Sequence, residues 1–531
     1  MPDLPPEIWC TVALYLPNDA LKELYAVNRA FFDLAMNERY REVSFRKINE
    51  SVMRQIEALR SPSIACRVHS LRFVPGFLPG LSANLNEVVS PERRRMPHLS
   101  NLSSISRRIT HRFTKNRSRG RKDESDPVCL TQLADGLMDV LPLMLNVRDL
   151  RLSWDSFSDV HSPPLDLAWS TFGPNLQSLT LSMSTTKFLS MFPLSRSPLP
   201  CLRLFSVEIC ARGYADDRNM GGELLSAEIA LAGFVSSLSG SLEHLTVSCC
   251  PPEYLSVFYK HVLPLKSLSS LTFDMASLGR QYSETSTSSG LNGFLRQQEG
   301  TLRHLEISAS VSENPRWSSY RFSFHDLQLS SLRSLSVTAD ILSSSWDDSF
   351  AFLRNHVQLE SLSINQPLAP SEIYRILDVL NHHHPSAALV ELSLSMYNLD
   401  VRVLDKLASD LRRLRSLKVK ISKVSCGTTY AITPSQHFPH DTVSGKVYPF
   451  VNEMKLHASF ERWELKDITI RRRSCCADLL LWGLMSLCAQ CIPSITSFAG
   501  NGDKAVPAEP QATHKRCFQV LCSYGTDHTL W

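Results

Sequence analysis

Apolar residues recur in one short pattern along the middle of the chain. Each copy has the order apolar-x-x-apolar-x-apolar, and ten copies follow one another with their central residues 25 to 40 positions apart. The central residues are Leu150, Leu179, Phe205, Leu245, Leu271, Leu305, Leu335, Leu362, Leu392 and Leu417. Because alternate residues of a strand face the same side, the last two apolar positions of each copy predict a short strand with one buried face.

Apolar segments between these copies predict helices that cover the buried face of the strands. They occupy residues 231–238, 254–263, 294–298, 350–355, 373–380 and 401–411. A repeat of this size cannot bury its apolar side alone, so neighbouring repeats must stack into one continuous core. Weaker copies flank the ten, at Val68, Leu71 and Phe73, at Val451, Met454 and Leu456, and at Leu465, Ile468 and Ile470.

With a mean spacing close to thirty residues, the pattern resembles leucine-rich repeats over residues 128–470. It departs from that family where a ladder Asn or Cys should follow the last apolar position by three residues, since only Cys210 and Cys250 comply. The resemblance therefore implies a right-handed α/β solenoid of irregular repeat length. An ordinary α/β domain rich in leucine is the alternative.

The polar positions of the repeat predict a solvent-facing row on the opposite side of the strands. The residues between the last two apolar positions are Arg151, Thr180, Ser206, Thr246, Thr272, Glu306, Ser336, Ser363, Ser393 and Lys418, and the next outward positions are Ser153, Ser182, Glu208, Ser248, Asp274, Ser308, Thr338, Asn365, Ser395 and Lys420. Interface hot spots draw mainly on Trp, Tyr and Arg. We therefore expect a partner to be held by the long connections 209–228 or 276–292, or by Lys418 and Lys420; alternatively, the small residues only suit a curved, solvated strand row.

The first 46 residues have a different pattern, which predicts three short helices around one small core. Pro5 and Pro6 suit the first turn of a helix, and Pro17 to Asp19 predict a break before a second helix. The apolar residues of that second helix are Leu21, Leu24, Val27 and Phe31. A unit of roughly forty residues buries too little apolar surface to be robust alone. We therefore expect Ile8, Trp9, Val12 and Leu16 to meet another surface.

Four consecutive segments, LPPEIW (4–9), YLPNDALKEL (15–24), AVNRAFFDLA (26–35) and NERYREVSF (37–45), resemble the F-box. Asn28 stands where Cys or Ser is more usual in that family, and Tyr40 where Trp is frequent. The resemblance implies that a set of residues binds or shapes an adaptor-binding surface: Leu4, Pro5, Pro6, Ile8, Trp9, Val12, Leu16, Leu21, Leu24, Val27, Asn28, Phe31 and Tyr40. A generic helical cap on the following domain is the alternative.

The F-box resemblance implies a substrate-recognition subunit of an SCF-type E3 ubiquitin ligase. The F-box would dock to the Skp-type adaptor, and through it to cullin, while the repeats select an unknown protein substrate. The alternatives are a ligase-independent scaffold and a nucleic-acid-associated repeat protein. No phosphate-binding loop, HExxH pair or GxSxG elbow occurs, so we expect neither an enzyme nor a cofactor.

The N-terminal sequence and the cysteine content predict a cellular compartment, and the charge distribution identifies one unusual segment. The chain begins without a basic and apolar leader, and its 14 Cys are irregularly spaced, which predicts reduced thiols and a cytoplasmic or nuclear protein. Residues 93–122 hold eleven basic and no acidic residues, so without them the net charge would change from +4 to −7. We interpret this run as a solvated insertion rather than a nucleic-acid or nuclear-localisation tail.

Two clusters contain residue types that bind metals, but neither predicts a metal site. His382, His383 and His384 are consecutive and cannot all reach one ion from a helix end, and Cys488 and Cys491, with Cys517 and Cys522, begin in an apolar run. Residues 479–492 are too short to span a membrane and predict a capping helix instead. We therefore expect no metal and no membrane partner.

The predicted fold class is α/β: an N-terminal three-helix F-box followed by an irregular leucine-rich-repeat solenoid. The predicted divisions are the F-box at 1–46, a linker with a possible first repeat at 47–92, a basic disordered insertion at 93–127, the solenoid at 128–470, and a capping helix with an irregular tail at 471–531.

Overall fold

The computed structural model describes residues 5–16, 20, 23–46, 50–73, 135–154, 163–183, 199–210, 221–250, 255–274, 287–308, 327–337, 353, 356, 358–383, 389–426, 430–432, 444–473 and 479–504. The basic run 93–122, the connection 276–286 and the tail after residue 504 lie outside these ranges, as does most of the helix predicted at 350–355. The chain forms two compact units, residues 1–251 with 261–263 and residues 252–260 with 264–531. Both are mixed α/β with parallel strands.

The first unit holds parallel strands that follow one another in sequence order. The strands are β1 (Glu42–Phe45), β2 (Ser70–Phe73), β3 (Asp149–Trp154), β4 (Ser178–Met183), β5 (Leu204–Cys210) and β6 (His244–Cys250). The helices are α1 (Pro6–Leu14), α2 (Arg29–Arg41), α3 (Glu50–Leu59), α4 (Pro62–Ala65), α5 (Pro163–Phe172) and α6 (Gly221–Ser237). Parallel neighbours need a crossover connection, which explains the helices α3 and α4 between β1 and β2, α5 between β3 and β4, and α6 between β5 and β6.

The strand register of the first unit matches the sequence repeat. The central residues Leu71, Leu150, Leu179, Phe205 and Leu245 lie opposite one another on successive strands, and all are buried. The copy predicted at Val68 is therefore confirmed. The repeat also begins one strand earlier than predicted, because Tyr40, Val43 and Phe45 follow the same pattern, and Val43 pairs with Leu71.

The second unit, taken by itself, has the same kind of arrangement. Its strands are β7 (Ser270–Asp274), β8 (His304–Ser308), β9 (Ser334–Val337), β10 (Ser361–Leu368), β11 (Glu391–Asp400), β12 (Ser416–Cys426), β13 (Tyr430–Ile432), β14 (Asp467–Arg472), β15 (Leu479–Leu480) and β16 (Ser497–Phe498). The helices wholly or mainly within it are α7 (Ser256–His261), α8 (Thr287–Gln297), α9 (Pro370–His383), α10 (Val401–Asp410), α11 (Ser444–Lys455) and α12 (Trp482–Cys491). Leu271, Leu305, Leu335, Leu362, Leu392, Leu417 and Ile468 lie in one register and are buried.

Two predicted features of the late repeats are wrong. The copy proposed at Val451, Met454 and Leu456 is the end of α11, and Leu456 just beyond it is 83% exposed. Ser395, predicted to face solvent, is only 2% exposed. The register between β10 and β11 shifts between Ile364 and Pro367, and this irregularity lies beside Ser395.

The residues after Arg471 retain more of the repeat than predicted. Helix α12, the predicted capping helix, leads into β16, which pairs in parallel with β14 so that Phe498 lies opposite Ile468. The third position of this copy is Gly500, which has a φ of 74° and starts a turn. Glycine at that position hides the pattern from a search for three apolar residues.

Candidate functional site

Helix α1 separates its apolar residues into two stripes that are one residue out of phase. Trp9, Ala13 and Leu16 face inward, where Ala13 is 6% exposed and Phe31 of α2, at 3%, completes a small core. The rings of Trp9 and Phe31 are 5.2 Å apart. The partly buried side chains of Leu24 and Leu34 pack against the same core. Trp9 and Leu16, which we expected to meet another surface, are partly buried because they pack against this core.

The second stripe of α1 is exposed. Ile8 is 46% exposed, Val12 is 39% exposed and Tyr15, one helical turn further, is 85% exposed. Residues four and three positions apart share one helix face, so these three side chains form a continuous apolar strip. Val27 and Phe32 add exposed apolar surface at 60% and 44%. We call Ile8, Val12, Tyr15, Val27 and Phe32 the N-terminal apolar surface.

The chain breaks before α2 at Asn28, which was not predicted. Leu24–Ala26 forms a 3₁₀ turn, and Asn28 is extended at φ −158° and ψ 172°. The Phe31 N–H donates to Asn28 Oδ1 at 2.8 Å, which satisfies an amide at the first turn of α2. The predicted single helix running from Leu21 to Phe31 is therefore wrong, because the cap at Asn28 starts a new helix.

The remaining members of the predicted adaptor-binding set are distributed unevenly. Pro5 is exposed and precedes α1, and Pro6 is the first residue of that helix. Tyr40 is 8% exposed at the end of α2, where it occupies the first apolar position of the repeat ending in β1. It lies outside the core around Phe31, and its burial leaves it little surface for a partner. Leu4 and Leu21 lie outside the described residues.

Sequence reasoning missed Tyr15 and Phe32 as surface residues. Phe32 is the second residue of an adjacent Phe pair, and successive helical positions differ in direction by about 100°. Because Phe31 is buried in the core, Phe32 must face away from it. Tyr15 follows the exposed stripe at the spacing of one turn after Val12. Both the adjacent Phe pair and the spacing from Val12 to Tyr15 are visible in the sequence. They can be interpreted only after the inward-facing residues have been assigned.

Arg67 fixes α2 against the turn that follows α4. Its guanidinium is 19% exposed, lies 2.7 Å from Asp33 Oδ1, and donates to the Asp33 carbonyl at 2.9 Å. It also donates to the Asn37 side chain and to the Ser63 carbonyl. Hydrogen bonds between a guanidinium and a carboxylate are among the strongest available to side chains. This network holds the helix bearing Phe32 in a fixed position on the first repeats.

A cleft of ≈1430 Å³ lies beside this network. Its lining includes Cys10, Leu16, Arg148 and Asp149, with charges of both signs. The Asp149 carboxylate accepts hydrogen bonds from Ser70 Oγ at 2.8 Å and from Arg151 Nε at 3.1 Å. Both hydrogen bonds go to Oδ2, so structural contacts hold this carboxylate in place.

Two cysteines of the cluster, Cys488 and Cys491, lie on α12. Burial raises the pKa of the Cys488 thiol to about 12 and also raises the pKa of Cys491. Cys517 and Cys522 lie outside the described residues, as does His384, while His382 and His383 end α9. Within the described ranges, no three His, Cys, Asp or Glu side chains gather closely enough to hold a metal ion.

The polar row predicted on the sheet is mostly solvated where it is described. Thr180, Ser206, Thr272 and Ser336 are partly exposed, and Glu306 is exposed. In the part of the chain that the structure describes, no helix is long and apolar enough to cross a membrane. No protein-family model matches this chain, and no curated protein sequence matches it significantly.

Proposed function

We propose that this protein is the substrate receptor of an SCF-type ubiquitin ligase, with an F-box at its N-terminus and leucine-rich repeats after it. The observation that carries the proposal is the N-terminal apolar surface. Ile8, Val12 and Tyr15 form an exposed strip on a helical module whose own core is built around Ala13 and Phe31. A module with so small a core gains stability by covering such a strip with a partner.

The order of the N-terminal segments supports the choice of partner. LPPEIW, YLPNDALKEL, AVNRAFFDLA and NERYREVSF follow one another as they do in F-boxes, and the substitution of Asn28 for the usual Cys or Ser leaves a side chain able to cap the helix. The proposed partner is therefore the Skp-type adaptor, and through it cullin. The in-register parallel strands and intervening helices support the leucine-rich-repeat part of the proposal.

The connection between the two parts supports a receptor role. Helix α2 ends at Arg41 and β1 begins at Glu42, so the last helix of the proposed F-box leads directly into the first strand of the parallel sheet. A substrate held on the repeats would have a restricted position relative to the adaptor. Restricting that position raises the effective concentration of substrate lysines near a charged conjugating enzyme. In this mechanism the receptor contributes geometry, and other subunits carry out the chemistry.

Affinity capture with mass spectrometry tests the proposal. Wild-type chain should recover a Skp-type adaptor and cullin, and blocking cullin activity should increase the recovery of substrate. Ile8→Asp combined with Val12→Asp should abolish recovery of both ligase subunits, because two charges would interrupt the apolar strip.

The matched control replaces Leu225 and Ile229, which are 44% and 46% exposed and also four residues apart on a helix, by Asp. This control should recover adaptor and cullin normally. Recovery of adaptor without cullin would favour a ligase-independent scaffold, and unchanged recovery by the Ile8 and Val12 variant would contradict the F-box assignment.

A further inference from the structure

Basic residues are concentrated on two neighbouring strands near the end of the second unit. Lys418 and Lys420 share one face of β12 and are exposed or partly exposed, and Arg471 and Arg473 are exposed at and just after the end of β14. We call these four residues the C-terminal basic patch. Strand pairing places Lys420 directly opposite Arg471, and Arg473 N–H donates to the Ile421 carbonyl at 2.7 Å. The patch is therefore built by the sheet and not by a loop.

The charge of the patch contrasts with the equivalent positions on earlier strands of the same unit. Those positions are Thr272, Glu306, Ser336, Ser363 and Ser393. They are neutral or acidic, so the sign of the surface changes between β11 and β12. A negatively charged partner would be attracted to the strands at this end of the row.

The two lysines of the patch already have interactions within the chain. Lys418 Nζ is bonded to Glu391 Oε1, Lys420 also has an interaction partner, and Asp467 Oδ1 accepts a hydrogen bond from the Gly500 N–H at 2.8 Å. Among the described residues, neither Arg471 nor Arg473 has a carboxylate within 4.0 Å. These two guanidiniums remain available to an external anion.

The floor and rim of the patch add to the case for a bound segment. Ser395 and Thr469, which lie in register with Lys420 and Lys418, are small and only 2% and 4% exposed. Tyr397 on β11 is 55% exposed and lies two residues after Ser395, the register partner of Lys420, so it shares that face of the strand. Exposed Tyr and Arg are enriched among residues that anchor protein interfaces.

The spacing of the cations matches an extended peptide. Alternate residues of a strand are about 6.6 to 7 Å apart, and this is the separation along the chain from Lys418 to Lys420 and from Arg471 to Arg473. An extended partner segment repeats its own side chains at the same distance. Two carboxylates at alternate positions of such a segment would have the spacing of Arg471 and Arg473.

We propose that the C-terminal basic patch docks an extended acidic segment of the substrate protein, with Asp or Glu at alternate positions. The inference rests on the proposed function, since it names the class of substrate segment that the receptor holds. A nucleic acid is disfavoured because the four cations lie on two strands and the equivalent positions on the earlier strands are neutral or acidic, whereas a single nucleic-acid strand is normally bound along a longer basic groove with stacking aromatics.

Fluorescence anisotropy with the full chain tests the docking site. The probe is a fluorescein-labelled peptide carrying Glu at alternate positions and Gly or Ser between them, and the reference peptide carries Gln in place of Glu. Wild-type chain should bind the Glu peptide, lose affinity as salt increases, and bind the Gln peptide at least about tenfold more weakly. Lys420→Glu with Arg471→Glu should reduce affinity for the Glu peptide by about tenfold or more.

Two variants make the result specific. Arg412→Glu with Arg413→Glu, at exposed residues in the turn before β12, changes the net charge equally and should leave peptide affinity within about twofold. Lys420→Gln with Arg471→Gln should give a loss of peptide affinity between those of wild type and the Glu variant. This variant shows whether the loss in the Glu variant comes only from the added negative charge. Equal losses in the patch and turn variants, or an equally charged single-stranded oligonucleotide binding more tightly than the Glu peptide, would overturn the inference.

Adaptor capture measured on the same preparations separates this inference from the proposed function. If the patch variants retain adaptor and the wild type ignores the Glu peptide, the docking site is wrong and the receptor role stands. If the wild type binds the Glu peptide through the patch but captures no adaptor, the receptor role is wrong and the patch remains a binding site for acidic peptides.

Discussion

Asn28 shows how one residue can set the boundaries of the N-terminal elements. Apolar spacing alone favours a single helix through Leu24, Val27 and Phe31, but the Asn28 side chain caps the Phe31 N–H and starts α2 there. Asparagine competes for backbone hydrogen bonds and so favours a cap over a helix interior. The restart of the helix directs Phe31 into the core and Phe32 to the surface.

Replacing this cap should loosen α2 locally. Asn28→Ala removes the acceptor of the Phe31 N–H and should lower the free energy of opening of α2 by about 1 kcal/mol. Hydrogen exchange with mass spectrometry on peptides covering residues 29–35 measures that opening directly. Asn28→Asp keeps an acceptor and should preserve protection, whereas equal protection in the Ala variant would show that the cap contributes nothing.

Cys488 should be chemically silent in the folded protein. Burial raises the pKa of its thiol to about 12, so the reactive thiolate is scarce at pH 8, whereas Cys10, Cys66 and Cys201 are exposed. Iodoacetamide followed by peptide mass spectrometry should modify the three exposed thiols first, and Cys488 only after unfolding. Labelling of Cys488 at the rate of Cys66 would contradict its burial.

The same thiol makes stability depend on alkaline pH. Its pKa rises from 9.0 in the reference state to about 12 in the folded chain, so between these values only the unfolded chain releases the proton. The stabilisation is complete below about pH 9 and is lost as pH rises towards 12. Urea unfolding at pH 8 and pH 10 should show a larger decrease for wild type than for Cys488→Ala, and equal decreases would contradict the shift.

At the scale of elements, the sequence predicted strands better than the helices and turns around them. The central repeat positions are found in one register within each unit, because burial of alternate residues on a parallel sheet demands that pattern. Val451 and Met454 misled the search because a spacing of three residues also suits a helix such as α11. Gly500 concealed the last copy, since its positive φ serves a turn and its missing side chain gives no apolar signal.

Arg67 should determine how firmly α2 is held on the first repeats. Arg67→Ala removes an ion pair and several hydrogen bonds, and leaves Asp33 without its 2.7 Å partner. We expect the free energy of unfolding of the N-terminal module to fall by about 1 to 3 kcal/mol. A double-mutant cycle with Asp33→Ala, in which thermal unfolding is measured for each variant, gives the coupling energy between the two residues. Strictly additive effects would show that their interaction contributes nothing to stability.

At the scale of the whole molecule, each unit depends on a continuous row of buried central residues. Leu305 lies between Leu271 and Leu335 and is 2% exposed, while its neighbour Glu306 is exposed. Stacked repeats draw their core from their neighbours, so damage at one position removes support from the next. This arrangement was predictable from the repeat, and so was the exposure of Ile8 and Val12, whereas the packing of Trp9 and Leu16 against the small core was not.

Leu305→Asp should therefore disrupt the second unit. A charge in the buried row costs on the order of 4 kcal/mol or more, whereas Glu306→Ala at the adjacent surface should change stability by less than about 0.5 kcal/mol. Limited proteolysis should cut the Leu305 variant within the central repeats and leave the Glu306 variant as resistant as wild type. The opposite result would reverse the assignment of inward and outward positions.

The most direct test of the proposed receptor role is the equilibrium binding of purified full chain to purified Skp-type adaptor, measured by isothermal titration calorimetry. Wild type should form a one-to-one complex, and Ile8→Asp with Val12→Asp should weaken it by about a hundredfold or more, because both side chains belong to the exposed apolar strip. Leu225→Asp with Ile229→Asp should bind as wild type does. Absence of wild-type binding, or equal affinity in the Ile8 and Val12 variant, would contradict the proposal that this surface is an F-box.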